Sequence, residues 1–308
     1  MAPIPSHTLT VPFIKTLHKS PYPAISTTRP ELSQAGRTVL VTGGGSGIGL
    51  AIARGFMQAS AARVIIIGRR ENVITEAASE LNAEAKAIGS PTSIIGRSVD
   101  ASDPVASERL WTELKNNGIA VDVLVLCAAA VGALKPILDM SLDEAWKPFE
   151  INVRHFVDFS QRFGKQGDES KKKYIVNVSS SAVHRFWTDA HMFPMYATTK
   201  NAGTLVMQQI AKDTDADKIQ IVSFHPGSIL TEAAKDAGIP DDVYDWDDVA
   251  LPGQFAVWTA TEDAKFLHGR WVAAHWDIDE IKAPGFVKKV ESERNYLRIG
   301  LVGIEEPL

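Results

Sequence analysis

The chain is predicted to be α/β: a single doubly wound domain on a seven-stranded parallel sheet with helices on both faces. Three features predict this. From Gly36 onward, short β-branched runs alternate with longer segments of helical period. The short runs are apolar throughout rather than every second residue, as in strands buried on both faces. A glycine-rich turn joins the first run directly to the first helix. Thr38–Thr42 is the first strand and Ile48–Gln58 its helix. Val64–Gly68 follows with a helix over Glu71–Leu81, then Ile94–Val99 with a helix from Pro104 to about Asn116. Val123–Cys127 is the fourth strand, followed by a long helix over about Leu142–Phe163, with Pro148 as a point of kinking. Tyr174–Val178, the helix Tyr196–Lys212, Ile219–His225 and Trp271–Ala274 complete the pattern. No repeat of solenoid period is present.

At 308 residues the chain has the length of one large domain or two small ones. Lys and Arg number 32 against 37 Asp and Glu, a net charge of −5, so no basic excess points to nucleic acid or an anionic membrane. The single cysteine, Cys127, excludes an internal disulfide and multi-thiolate zinc and points to a reduced, soluble compartment. The longest apolar stretch, Val121 to Leu134, is interrupted by Asp122 and Gly132 and is too short to span a bilayer. Residues 1–35 hold six of the sixteen prolines, and no acid precedes Glu31. Transit peptides are also acid-poor, but prolines break the amphipathic helix they need. The segment is therefore taken as an extended arm of a cytoplasmic protein, with organellar import as the alternative. The expected organisation is an arm over 1–35, a domain over 36–276 and a tail over 277–308.

The turn Thr42-Gly43-Gly44-Gly45-Ser46-Gly47-Ile48-Gly49 has the composition needed to cradle a pyrophosphate. Glycines let the backbone turn and approach closely, and the following helix presents free N–H groups and its positive end. Gly43, Ser46, Gly47, Ile48 and Gly49 are the expected contacts of a dinucleotide. The second strand ends in Gly68, Arg69 and Arg70, with no carboxylate to repel a ribose 2′-phosphate. Arg69, with Arg70 beside it, is a candidate for a charge-assisted contact with that phosphate, which favours NADP(H) over NAD(H). Asp100 is a candidate acceptor for the adenine amino group, although Ser102 or Asp103 in the same loop has the ordinary character of a helix cap.

Several motifs together resemble the short-chain dehydrogenase/reductases: the glycine turn, Asn177-Val178-Ser179-Ser180, Tyr196-x-x-x-Lys200, and Pro226-Gly227 with Thr231. The resemblance covers about Gly36 to Trp276 and implies a Rossmann fold. It also implies a hydride transfer between nicotinamide and a carbonyl or alcohol, and commonly a homodimer or homotetramer. Chemistry explains the Tyr–Lys spacing. A phenol of pKa about 10 is a poor acid near neutrality, and a lysine at i+4 shares its helical face and favours the phenolate.

The resemblance implies that Tyr196 gives a proton to the carbonyl oxygen and that Lys200 also holds the nicotinamide ribose. It makes Ser180 the residue orienting the carbonyl, with Ser179 and Ser181 as the alternatives, because sixteen residues separate Ser180 from Tyr196, more than is usual. Asn152 matches the asparagine holding a relay water; its structural alternative is a buried side chain bonded to the helix backbone. Pro226, Gly227, Ile229 and Thr231 are expected beside the cofactor. So are Cys127 and Ala128, although Leu126-Cys127-Ala128-Ala129 stands where the family usually has asparagines. Cys127 is expected to be a small buried hydrophobe rather than a nucleophile.

The resemblance implies that His184, Phe186, Trp187, His191, Met192 and Phe193, with the loop-rich Ile229–Asp248, form a substrate cleft and a lid at about 228–248. Their aromatic content suits a hydrophobic or aromatic carbonyl substrate, the alternative being that these aromatics only pack the loops. No metal is expected, since His184 and His191 lack further ligands. The acidic run Asp241–Asp248 is expected to be solvated, and the tail to cover the cleft or join a subunit interface. The reading is an NADP(H)-dependent carbonyl reductase or alcohol dehydrogenase, similar to fungal members, some of them attached to secondary metabolism. The alternatives are an epimerase, dehydratase or cyclase using bound NADP(H), and a non-catalytic NADPH sensor.

Overall fold

The computed structural model describes residues 9–184, 193–236 and 238–301. Seven strands form one parallel sheet: β1 Thr38–Thr42, β2 Arg63–Gly68, β3 Ser93–Ser98, β4 Val123–Leu126, β5 Lys173–Val178, β6 Ile219–His225 and β7 Arg270–Ala273. Their order is β3-β2-β1-β4-β5-β6-β7. β1 pairs with both β2 and β4, so the chain reverses its direction of travel across the sheet between those neighbours. Ligands of such sheets bind in the crevice that this reversal opens at the strands' carboxyl ends.

Successive strand residues serve opposite faces. Val39, Val41, Val64, Ile66, Val123 and Val125 enter one apolar cluster; Leu40, Ile65, Ile67, Leu124 and Leu126 enter the other. The first face is covered by α1 (Gly47–Gln58), α2 (Glu71–Ala87) and α8 (Ala250–Thr259); the second by α3 (Pro104–Asn116), α5 (His155–Gly164) and α6 (Pro194–Lys212).

Helix α8 was not predicted. Leu251, Phe255, Ala256, Val257 and Trp258 are all fully buried, so it has no polar stripe to reveal a helical period. It lies close on α1: a Cβ at Gly55 would stand 2.5 Å from the Gly253 carbonyl oxygen, and one at Gly253 would stand 2.6 Å from that of Ala51. The expected single helix over 142–163 is broken instead into α4 (Leu142–Phe149), a π-helical turn Glu150–Arg154, and α5. Pro148 lies just before the π turn, where its ring and missing N–H disturb the regular ladder. A short helix, α7 (Glu232–Asp236), follows the PG turn. Two more, α9 (Ile278–Ile281) and α10 (Pro284–Ser292), lie in the tail.

From residue 9 the amino-terminal segment lies along the domain. Leu17 bridges antiparallel to Trp276, and the Glu280 carboxylate accepts from the Lys15 and Thr16 N–H groups at 2.6 and 3.0 Å. Ile14, Ile25 and Leu32 join the first-face core, each burial contributing about 1.5–3 kcal/mol. The tail packs behind β7. The Arg270 guanidinium donates to the carbonyls of Val290, Arg294 and Tyr296 at 2.6–2.7 Å, and Phe286 is fully buried. Among the described residues, no helix is long and apolar enough to cross a membrane.

The α1–α8 contact yields a stability prediction. Gly55→Ala places a methyl group against backbone that cannot move independently. It should cost about 1–3 kcal/mol, seen as a lower urea midpoint at unchanged m-value.

Candidate active site

The glycine turn follows β1 at the reversal point. Gly43 and Gly47 adopt φ of +69° and +53°, conformations that side-chain-bearing residues avoid. A Cβ at Gly49 would stand 2.2 Å from the Gly43 carbonyl oxygen, and one at Gly43 would lie 3.0 Å from the Ala128 Cα. Only bare backbone fits. Ser46 occupies the N-cap of α1 but makes no side-chain cap bond, so the opening N–H groups of α1 are not met by the usual cap. A cradle that any Cβ would fill, at an uncapped helix start, fits a dinucleotide phosphate.

The loop after β4 faces that cradle. Sequence reasoning did not anticipate how it is held. The Thr42 hydroxyl accepts the N–H groups of Cys127 and Ala128 at 3.0 and 3.1 Å. Asn152, fully buried in the π turn, clamps both polar groups of the Ala130 backbone: Oδ1 accepts its N–H at 2.9 Å and Nδ2 donates to its carbonyl at 2.8 Å. Nδ2 also donates to Thr199 Oγ1 at 2.8 Å. Both amide protons are thus committed, to loop backbone and to Thr199 rather than to the helix backbone. Thr42 and Asn152 hold the loop that lacks the family's usual asparagines. Cys127 lies just beyond the end of β4, half-buried rather than buried as expected, and desolvation raises its thiol to about 11.

Ser180, Tyr196 and Lys200 converge where β5 ends and α6 begins. Lys200 is 2% exposed; its Nζ donates to the Val178 carbonyl at 2.8 Å and lies 5.8–5.9 Å from the Phe156 and Tyr196 ring centroids. Burial pulls its ammonium down to about 8. The Tyr196 phenol is pushed above its usual value by burial, with a hydrogen bond to Ser180 pulling the other way. The expected net lowering of Tyr196 by Lys200 is therefore not what these side chains produce: desolvation is the larger effect. The three serines are distinguished by their partners. Ser179 is 2% exposed, bonded to Thr204 Oγ1 at 2.7 Å and accepting from Trp271 Nε1 at 3.2 Å, while Ser180 is the one that meets Tyr196.

Arg69 and Arg70 are exposed at the end of β2, and neither has an ion-pair partner among the described residues. Asp100 spends Oδ1 on the Ser102 N–H and hydroxyl at 2.9 and 2.7 Å, while Asp103 caps α3 through the Val105 N–H at 2.9 Å. Of the two expected caps, Asp103 is the one used.

Gly227, after Pro226, has φ of +96° and backs onto Asp247, whose Oδ2 accepts the Ser228 N–H at 2.8 Å. The Asp247 N–H returns to the Ser228 carbonyl at 2.8 Å, which closes the base of the segment 229–246. Thr231 lies against Gly47 and accepts the Ala234 N–H at 3.1 Å, whereas the Ile229 side chain is buried. The acidic run is only partly solvated: Asp247 is buried and Asp245 pairs with Lys19. His184 packs edge-on against Trp271, 5.5 Å between ring centroids. Phe186, Trp187, His191 and Met192 lie outside the described residues. Among the described residues, no group of three or more His, Cys, Asp or Glu side chains is placed to hold a metal.

The Asn152 clamp predicts that Asn152→Ala strands the Ala130 backbone groups. It should lower unfolding free energy by about 2–4 kcal/mol in urea titration, whatever the assay conditions.

The model of the short chain dehydrogenase family matches residues 37–240. A short chain dehydrogenase/reductase of Claviceps purpurea is 34% identical over 290 residues, 94% of each chain. Short chain dehydrogenase/reductase AacuD of Aspergillus aculeatus is 32% identical over 288 residues, covering 94% of this chain and 96% of that one. A Burkholderia cenocepacia short chain dehydrogenase in complex with NADP is 26% identical at a TM-score of 0.65, over 78% of this chain and 96% of that one. A Brucella melitensis 3-oxoacyl-[acyl-carrier protein] reductase with bound NAD shares the fold at a TM-score of 0.68 and 24% identity, over 84% of this chain and 98% of that one. The chain belongs to the short-chain dehydrogenase/reductase family, oxidoreductases acting between CH–OH and C=O groups.

Proposed function

We propose that the chain is an NADP(H)-dependent carbonyl reductase or alcohol dehydrogenase for hydrophobic or aromatic ketones and alcohols. One observation carries the reading: Tyr196, bonded to Ser180 and close to the buried Lys200, stands at the sheet edge that also holds the glycine cradle. The nicotinamide, when bound, supplies the hydride that reaches the carbonyl carbon. Everything else falls to the chain. Ser180 Oγ orients the carbonyl oxygen, and Tyr196 Oη donates its proton to that oxygen as the C–H bond forms. The ammonium of Lys200 stabilises the phenolate left behind; among the described residues no carboxylate is paired with it.

The cradle of Gly43, Gly47 and Gly49 suits the pyrophosphate, and Arg69, with Arg70 beside it, the 2′-phosphate. The NADP complex of the Burkholderia relative supports that preference. The Tyr244–Trp246 ring pair in the lid, 5.1 Å between centroids, supports an apolar or aromatic substrate. Homo-oligomerisation belongs to the same reading, supported by the exposed Leu138, Leu142 and Trp146.

Consumption of NADPH and NADH, followed separately over a panel of aromatic and aliphatic ketones, tests the reading. Tyr196→Phe should abolish turnover while NADPH still raises the melting temperature; equal rates for the two proteins would end the proton-donor role. Arg69→Glu should weaken NADPH binding about tenfold or more relative to NADH, the loss of a charge-assisted bond. The pH dependence has a definite sign. The Lys200 charge is present below its pKa of about 8 and lost above it, so kcat for reduction should hold from neutrality to about pH 8 and then fall. A profile still level well above that pH would remove the role given to Lys200.

A further inference from the structure

Ser180 does little to fix its own position. Among the described residues its bonds to backbone are local: Oγ accepts the Ala182 N–H at 3.2 Å and its carbonyl accepts the Val183 N–H at 3.4 Å. Within this turn, the partners that come from other strands belong to its neighbours. On one side, the Ser179 N–H donates to the Phe224 carbonyl at 2.8 Å and its Oγ accepts from Trp271 Nε1 at 3.2 Å. On the other, the Ser181 N–H donates to His225 Nδ1 at 3.2 Å. Asn201 of α6 adds a bond to the Val183 carbonyl at 2.8 Å.

His225 and Trp271 come from neighbouring strands but act together. Their rings are parallel within 5°, 6.3 Å between centroids; His275 meets His225 edge-on at 5.9 Å. His225 is 6% exposed and is the last residue of β6, immediately before Pro226-Gly227. Because Nδ1 accepts a backbone N–H, the ring is the neutral tautomer with its proton on Nε2.

We infer that His225 is a positioning residue: stacked beside Trp271, it holds the Ser180 turn through the Ser181 N–H and so aims the Ser180 hydroxyl at Tyr196. The consequence for catalysis rests on the proposed role of Ser180; the hold on the turn does not. An orienting hydroxyl must be placed to within about half an ångström, and a side chain whose bonds to backbone lie within its own turn takes its placement from whatever fixes that turn. His225 also ties two loops of the site to one strand end, since the PG turn starts at the next residue.

Two variants separate positioning from packing. His225→Phe keeps a flat ring against Trp271 but gives the Ser181 N–H no acceptor. His225→Asn restores a side-chain oxygen acceptor. By amide hydrogen exchange, Ser181 should exchange at least tenfold faster in the Phe variant than in wild type, and near the wild-type rate in the Asn variant. With 4-nitrobenzaldehyde and NADPH, His225→Phe should lower kcat about tenfold while KM and the NADPH Kd stay within threefold, and His225→Asn should recover most of that loss. Unchanged Ser181 exchange in the Phe variant overturns the inference, as does an Asn variant that falls as far as Phe. Should wild type leave the aldehyde unreduced, the proposed function loses its support, and the exchange measurement alone decides the role of His225.

Discussion

A parallel sheet buried on both faces leaves only the ends of its strands open, and this constraint orders the rest of the molecule. Inside the sheet the inner strands are paired along ladders on both sides. Past the carboxyl ends the ladders stop, and each freed N–H or carbonyl needs a partner from a side chain. Thr42 meets the loop after β4, and Asn152 clamps it two residues further on. Lys200 takes the last carbonyl of β5, His225 the serine turn, and Asp247 the PG turn. Groups that satisfy the backbone at these ends also surround the crevice where ligands bind, so stability and chemistry draw on the same side chains.

This double use has an electrostatic result. A lysine that bonds a strand-end carbonyl is drawn out of water, and desolvation brings its pKa down towards neutrality. The phenol beside it is raised by the same burial. Each shift disfavours the charged form. A phenolate forming beside a poorly solvated ammonium therefore gains more from that charge than it would in water. Burial that makes the resting groups reluctant to ionise also strengthens their interaction once a proton has moved.

The segments outside the alternating pattern are built into this frame. The amino-terminal arm bonds Glu280 of α9, buries Tyr22 against the Trp276 backbone, and reaches the segment before α8, where the Asp248 N–H meets the Lys19 carbonyl at 2.7 Å. The tail is gripped by Arg270, a guanidinium spent on three carbonyls rather than on an acid. Arm and tail meet at Trp276, where the arm's Leu9 carbonyl accepts the indole N–H at 2.8 Å.

By itself the sequence determined the alternation of strands and helices, the glycine cradle and the Tyr196–Lys200 pair. Each of these is local: a period, a run of residues lacking Cβ, or an i+4 spacing is complete within a few neighbouring positions. It did not reveal α8, because a helix apolar on all sides carries no period. Nor did it show that Asn152 is a clamp, that Asp247 is buried within an acidic run, or which of three adjacent serines faces Tyr196. Ser179, Ser180 and Ser181 are chemically identical in the sequence. Their differences come from Trp271, Tyr196 and His225, brought in from other strands and a helix. Partners far apart in the chain meet only when the sheet closes, and it is the tertiary structure that assigns each hydroxyl and each buried amide its neighbour.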